Sequence, residues 1–252
     1  MSKRIALIPA RAGSLRVPSK NIRALCGHPL IAYSIQVAIQ SKMFDRVLVS
    51  TDSETIQKIA IHYGADAPFL RPAELASSTA IDIQWITHAL QQIDSDHDIF
   101  SIVRPTSPFR TTEMLMRAIK QFESWKGLDS MRAVELCEQH PGKMWKIRDE
   151  DGLLESFLPQ GQMEKPWHAR QYQDLPKVYI QNSSLEIAWT EVVWRYKSRE
   201  GKLIAPFITK DYEGFAIDYP HDFLLAESLV ERGIAKPISI PVPSFKEFEK
   251  DY

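Results

Sequence analysis

Short apolar runs alternate with stretches of helical periodicity through the first half of the chain. RIALIP (4–9) is a continuous apolar run and predicts a buried strand. HPLIAYSIQVAIQS (28–41) repeats apolar residues at helical spacing, with Pro29 near its first turn, and predicts an amphipathic helix. RVLVSTD (46–52) predicts a second strand, followed by a helix through SETIQKIAIHYG that Ser53 caps and Gly64 closes. AIDIQWITHALQQI sets Ile83, Ile86, Leu90 and Ile93 at spacings of three and four; DIFSIVRPTSPF then supplies a third strand and TTEMLMRAIKQFESW another helix. This alternation predicts an α/β fold, a mostly parallel sheet with helices on both faces, in which ligands bind beyond the carboxyl ends of the strands.

From 138 to 182 the pattern changes. The segment is rich in Pro, Gly and Trp and has no long helical period. It predicts a small subdomain of short strands and loops inserted into a single domain, 1–252. Met144, Trp145, Leu153, Leu154, Phe157 and Trp167 give it apolar surface to bury, which a partner subunit can cover. The alternation resumes with SLEIAWTEVVWRY, a short strand near FAID (215–218) and a helix through PHDFLLAESLVERG.

Composition narrows the function classes. An apolar content of 44% over 252 residues supplies a proper core, so disorder is not the default. With 31 basic and 32 acidic residues the net charge is -1, and the whole-molecule field gives no reason to expect a nucleic acid or anionic membrane as partner. Any basic site must be local. The apolar run near the N-terminus is too short for a signal-peptide core, and no stretch approaches the roughly 20 apolar residues that span a bilayer. Cys26 and Cys137 fit no metal spacing and read as reduced thiols, so a cytoplasmic location is expected. The seven histidines show no zinc spacing, and no Ser/His/Asp order stands out.

Positive charge concentrates where the first strand ends. IPARAGSLRVPSKN (8–21) carries Arg11, Arg16 and Lys20 around Gly13. At a sheet's carboxyl edge Gly13 can take a backbone conformation closed to other residues, letting amides approach an anion while the cations offer charge-assisted hydrogen bonds. A triphosphate suits such a loop; a merely solvated basic loop is the alternative, because neither G-x-x-x-x-G-K-[ST] nor G-x-G-x-x-G occurs. Further along, Arg71 in LRPAELASSTA can present a planar donor fork to a pyrimidine edge or form a surface ion pair, and the small residues Ala76, Ser77 and Thr79 leave room for a base and ribose.

Five ordered blocks carry a resemblance. IPARAGSLRVPSKNIRALCGHPLIAYSI, RVLVSTDSETIQKIAIHYGADAPFLRPAELASSTA, RPTSPFR (104–110), QDLPKVYIQNSSLEI and FAIDYPHDFLLAE follow in the order found in the sugar-acid cytidylyltransferases. That family contains the acylneuraminate and 3-deoxy-manno-octulosonate enzymes, and the chain resembles the acylneuraminate branch more. The resemblance implies a Rossmann-like nucleotidyltransferase fold with an inserted dimerisation subdomain, and hence a homodimer. It implies a Mg²⁺-dependent reaction in which the hydroxyl of a 2-keto-3-deoxy sugar acid, a sialic-acid-like nonulosonate, attacks the α-phosphorus of CTP. Pyrophosphate leaves and a CMP-sugar for glycan synthesis forms. Alternative readings are nucleotidyl transfer to another sugar or sugar phosphate, and a nucleotide-binding module without turnover.

Residue by residue, the resemblance implies that Ala10, Arg11, Gly13, Ser14, Lys20, Asn21, Arg71, Ala76, Ser77 and Thr79 hold the nucleotide, with Arg11 and Lys20 catalytic. Arg104, Thr106, Ser107, Lys143, Arg170, Tyr172 and Asn182 would hold the acceptor, and Asp218 the metal. Several positions depart from the family's wording: Arg104 stands where glutamine is usual, Tyr172 where arginine is common, Ser183 for glycine, and Ala216 for the first carboxylate of D-I-D. A cation at 104 favours an acidic sugar or an extra phosphate, and a lone Asp218 makes a weaker metal site. Asp222 is expected at the start of the following helix, where its charge suits the dipole.

Overall fold

β1 (Arg4–Pro9) runs parallel to β4 (Arg46–Ser50) and to β5 (Ile99–Ile102), so three strands end at one edge. The computed structural model describes residues 2–159 and 165–245. The described residues fall into two compact units, one within 2–133 and 182–245 and a smaller one within 134–159 and 165–181.

Between β1 and β4 a two-strand hairpin, β2 (Ala24–Leu25) and β3 (His28–Pro29), turns on Cys26 and Gly27, φ +47° and +87°, a pair of positive angles that matches the right-handed twist of a tight hairpin. This hairpin takes His28 and Pro29 out of the expected helix, and α1 is Leu30–Ser41. α2 (Glu54–His62) is capped by Ser53, whose hydroxyl accepts from the Ile56 amide, and Gly64 follows at φ +89°. α3 (Asp82–Gln92), α4 (Thr112–Ser124), β6 (Ser130–Leu136), β7 (Trp145–Ile147), β8 (Leu154–Ser156), β9 (Tyr179–Trp189), α5 (Thr190–Tyr196), β10 (Ile204–Ile208) and α6 (Pro220–Glu231) complete the order.

The six-stranded sheet has the order β10-β6-β9-β5-β1-β4. Alternate residues of β1 bury on opposite faces: Ile5 and Leu7 pack with Trp85, Ile86 and Leu90, whereas Ala6 and Ile8 join Ile35, Leu115 and Phe122. Both faces are therefore dry, which is why these strands read as unbroken apolar runs. The α/β expectation holds, with one addition. β9 is antiparallel to β5, Ile102 facing Glu186, so a chain running the opposite way delivers a carboxylate to the edge where β5 ends.

Two strands, β6 and β10, were not expected; in β10 Ala205 and Phe207 point inward and Ile204 and Ile208 outward. The strand expected near FAID is absent; Phe215–Asp218 is a loop, tied by the Ile217 amide to the Thr106 carbonyl at 2.8 Å. In the smaller unit β7 and β8 pair antiparallel, Ile147 against Leu154, and leave Trp145, Ile147, Leu153, Leu154 and Phe157 exposed. The span 160–164 of the expected 138–182 insert lies outside the described residues. Among the described residues no helix is long and apolar enough to cross a membrane.

Candidate active site

The loops leaving β1 and β5 and the segment leading into α3 enclose a cleft of about 290 Å³ in the larger unit. Arg11, Ser14, Lys20 and Asn21 come from the first loop, Arg71 and Ser77 from the segment before α3, and Arg104 and Thr106 from the loop after β5. This is the carboxyl edge of the parallel strands, where strand ends and helix starts converge. The arrangement brings together residues up to 95 positions apart with three arginines and a lysine on the walls, a setting for a polyanion.

The first loop is held from several sides. The Ala12 amide donates to Asp52 Oδ1 at 2.8 Å, Asn21 Nδ2 to the Arg11 carbonyl at 3.0 Å, and Arg11 Nη1 to the Ser77 carbonyl at 2.7 Å. Asp52 thus shapes the loop's backbone. Lys20 Nζ donates to the Ile217 carbonyl at 2.9 Å and to Asp218 Oδ1 at 3.1 Å, while Arg16 stands 3.9 Å from the same oxygen. Gly13 corrects an expectation: its φ is not positive, and the left-handed residue of this loop is Ser19 at φ +54°. A Cβ on Gly13 would meet nothing within 4 Å, so what glycine provides here is open space beside the backbone.

Arg71 is buried, not a surface ion pair. Its Nε donates to Ser50 Oγ at 3.0 Å and Nη2 to the Ser50 carbonyl at 2.6 Å, and its guanidinium lies 5.1 Å over the Trp85 ring. Burial pushes its pKa down to about 10, against the pull of Asp52 and Asp82. Two edges of the fork serve the protein, which fixes the plane of the group in the cleft wall. Ser77 Oγ and Thr79 Oγ1 lie 3.3 Å apart just past the 3-10 turn Ala73–Ala76. Ala10 is buried at the end of β1 with its amide on the Ser50 carbonyl. Ala10, Gly13, Ala76 and Thr79 support these walls without lining the cleft.

Arg104 departs from the expectation of an available cation. Nη2 donates to Asp82 Oδ2 and, at 3.1 Å, to Glu186 Oε1. Burial alone would lower its pKa; Glu186 and Asp82 outweigh burial and raise it. Arg199 and Arg132 share the same carboxylates together with Glu200, so three arginines face three acids. Thr106 Oγ1 on the cleft wall and Ser107 Oγ, which does not line the cleft, are buried with no hydrogen-bond partner, a costly state for a hydroxyl. Nearby Arg110 is fully buried with no carboxylate: it donates to the Ser184 carbonyl at 2.7 Å, to Ser34 Oγ and to the Arg104 carbonyl, tying the loop to its surroundings.

Asn182 is not on the cleft wall: its Nδ2 donates to Thr209 Oγ1 at 3.0 Å and its Oδ1 accepts from the Ser184 amide. Lys143, Arg170 and Tyr172 cluster within the smaller unit; Lys143 Nζ donates to the His168 and Arg170 carbonyls at 3.1 and 2.7 Å and sits 5.1 Å from the centre of the Tyr172 ring. Asp222 takes the helix-start position expected of it, its Oδ2 accepting from the Asp218 and Tyr219 amides at 2.8 and 2.7 Å.

Among the described residues no group of three or more His, Cys, Asp or Glu side chains can hold a metal ion. Asp218 stands as a single carboxylate beside Lys20. Such a donor fits Mg²⁺ of the kind that takes most of its oxygens from phosphates and water, and does not fit a cage built by protein alone.

Residues the sequence reading missed include Asp82, Glu186 and Arg199. The available signal was an acid inside the apolar run of β9, SLEIAW, where a carboxylate needs a partner.

Residues 5–152 match the family model described as Cytidylyltransferase. The chain belongs to the cytidylyltransferase family. Over 238 residues it is 34% identical to the CMP-N,N'-diacetyllegionaminic acid synthase of Legionella pneumophila, across 90% of this chain and 96% of that one. It is 46% identical over 156 residues to the N-acylneuraminate cytidylyltransferase of Escherichia coli, 62% of this chain but 36% of that longer protein. A solved CMP:2-keto-3-deoxy-manno-octonic acid synthetase complexed with CTP has the same fold, with a TM-score of 0.68 over 92% of this chain and 100% of that one at 14% identity. The family expected from the sequence blocks is the family found. This cytidylyltransferase is a nucleotidyl-transferring enzyme of the sugar-acid group.

Proposed function

We propose that this enzyme transfers CMP from CTP to a nine-carbon 2-keto-3-deoxy sugar acid and releases pyrophosphate, supplying a CMP-sugar for glycan synthesis. The observation that carries the reading is the convergence of Arg11, Ser14, Lys20 and Asn21 with Arg71 and Ser77 on one cleft at the carboxyl edge. In the reaction an acceptor hydroxyl oxygen bonds to the α-phosphorus while the bond to the bridging oxygen of pyrophosphate breaks. Charge develops on the leaving group, and preorganised cations are the means of stabilising it.

Arg11 and Lys20 supply those cations in this account. The Arg11 guanidinium is oriented by the Ser77 carbonyl, and Lys20 is held by two oxygens that a phosphate replaces. Ala10, Gly13, Ser14 and Asn21 shape the phosphate loop, and Gly13 leaves it room. Arg71, with Ala76, Ser77 and Thr79, forms the side assigned to cytosine and ribose. Mg²⁺, when bound beside Asp218 and the phosphates, supplies charge neutralisation at the transferring group.

On the acceptor side Thr106 and Ser107 offer hydroxyls, Arg104 donates hydrogen bonds from a neutralised network, and Asn182 holds the local strand geometry. Lys143, Arg170 and Tyr172 are assigned to acceptor recognition as well. The exposed apolar hairpin β7–β8 is assigned to a homodimer interface, and the enzyme to the cytoplasm, where CTP is available.

The test is pyrophosphate release with CTP, GTP, UTP and ATP against nine-carbon sugar acids, octulosonate and sugar 1-phosphates. CTP with a nine-carbon acid is the expected pair. Release with a sugar 1-phosphate or another nucleotide replaces the substrate assignment, and CTP binding without release to any acceptor replaces the enzyme with a binding module.

A further inference from the structure

Asp82 is the only acidic residue among the described residues that line the cleft, and its two oxygens serve different partners. Oδ1 accepts from Trp85 Nε1 at 2.8 Å; Oδ2 accepts from Arg104 Nη2 and Arg199 Nη1. Trp85 in turn lies beneath the Arg71 guanidinium, which is anchored to Ser50 at the end of β4. Arg104 continues the other way to Glu186 on β9. One carboxylate at the first residue of α3 therefore joins a chain of contacts that runs from Ser50 at the end of β4 to Glu186 on β9 by way of residues lining the cleft.

We propose that Asp82 is a positioning residue that couples the two substrate sides: through Trp85 it sets the Arg71 plane for the nucleotide, and through Arg104 and Arg199 it fixes and neutralises the acceptor wall. The names of the two sides rest on the cytidylyl-transfer reading. The charge consequence is direct. Arg104, Arg132 and Arg199 are balanced by Asp82, Glu186 and Glu200, so the acceptor wall offers aimed hydrogen bonds without a net positive charge. Losing Asp82's charge leaves this network with one unbalanced cation and frees Arg104 to rotate about its remaining bond to Glu186.

Three variants separate the two arms. Asp82→Asn keeps an oxygen for Trp85 and removes the anion from the arginines; Asp82→Ala removes both; Trp85→Phe removes the donor facing Oδ1 and trims the ring beneath Arg71, so both of its effects fall on the nucleotide side. CTP binding is read by calorimetry, and acceptor KM and kcat by pyrophosphate release. Asp82→Asn is expected to raise acceptor KM about tenfold with the CTP Kd within about threefold, the scale of one charged hydrogen bond. Trp85→Phe is expected to do the reverse, and Asp82→Ala to weaken both ligands. Adding Arg104→Gln to Asp82→Asn removes the unbalanced cation and is expected to restore much of the acceptor KM.

Equal losses for both ligands in Asp82→Asn and Trp85→Phe, or no change in either, overturn the proposal. A wild-type protein that binds CTP but releases pyrophosphate with no acid defeats the transfer reading instead. The calorimetric contrast between Asp82→Asn and Asp82→Ala still decides the coupling in that case: a tenfold gap in CTP Kd supports it and no gap refutes it.

Discussion

Lys20 and Asp218, 198 positions apart in the chain, meet at 3.1 Å between Nζ and Oδ1. The lysine is mostly enclosed and the aspartate half-exposed, so solvent reaches the pair from the aspartate side. Without a nucleotide each neutralises the other. In the proposed reaction Lys20 would be the partner of a phosphate and Asp218 of a divalent cation, so the pair would part on nucleotide binding.

Removing the lysine tests that role. Lys20→Ala is expected to lower kcat by about 100- to 1000-fold, the scale of one lost transition-state donor, and to shift the melting temperature little because Asp218 remains solvated. Pyrophosphate release and a thermal melt on the same preparation check both parts.

Asp218→Asn should act through the metal. The Mg²⁺ concentration for half-maximal rate is expected to rise about tenfold or more, because a neutral amide is a poorer ligand for a hard cation. A titration of rate against Mg²⁺ at saturating CTP measures this directly.

Acid stability should report the Asp82 network. Burial acts to raise this carboxyl, but the charge and hydrogen bond of Arg104, with Trp85 and Arg199, outweigh it and hold it below its ordinary 3.8. A depressed folded pKa means that the stabilisation is complete above 3.8 and is lost as the pH falls through the lower folded value. Melting temperatures from pH 6 down to about 3 should therefore fall more steeply for the wild type than for Asp82→Asn.

Gly201 is a backbone position closed to any side chain. Its φ is +68°, and a Cβ there would stand 2.5 Å from the Asp129 Cβ. Asp129 Oδ2 meanwhile accepts from the Lys202 and Leu203 amides at 2.7 and 2.9 Å, so it has little freedom to retreat. Gly201→Ala is expected to cost about 2–4 kcal/mol of stability by urea denaturation, strain and clash adding together.

The hairpin β7–β8 gives the oligomer prediction. Ile147 is 71% exposed and Leu154 62%, on residues that pair across the hairpin. Replacing both with Asp is expected to convert a dimer to a monomer in analytical ultracentrifugation; an unchanged mass would assign the interface elsewhere.

Much of this architecture was legible because burial on both sheet faces leaves a strong local pattern. The β1 run is bounded by Arg4 and Pro9 in sequence and in structure alike, and Ser53 and Asp222 take the cap and first-turn positions that their chemistry favours. β6 was hard to read because Arg132 and Glu135 interrupt its apolar residues, and β10 because Pro206, which has no amide to donate, stands in the middle of its short run. The direction of β9 depends on pairing with β5, a long-range choice that no local window contains.

At the site, the loop of Arg11, Lys20 and Asn21 was readable as a charge cluster, whereas its partners were not. Arg104 looked like an available cation because Asp82 and Glu186 reach it from 22 and 82 positions away. Arg71 looked equally able to pair at the surface, and only the fold shows Ser50 and Trp85 enclosing it. Gly13 was read as a conformational glycine, but the loop places its positive φ at Ser19.

The most direct measurement of the central claim is pyrophosphate release from CTP with Mg²⁺ and a nine-carbon sugar acid, run beside Lys20→Ala and the other three nucleotides. The account predicts release with CTP alone, and its near-complete loss in the variant. Equal release from Lys20→Ala, or a preference for another nucleotide, would contradict it.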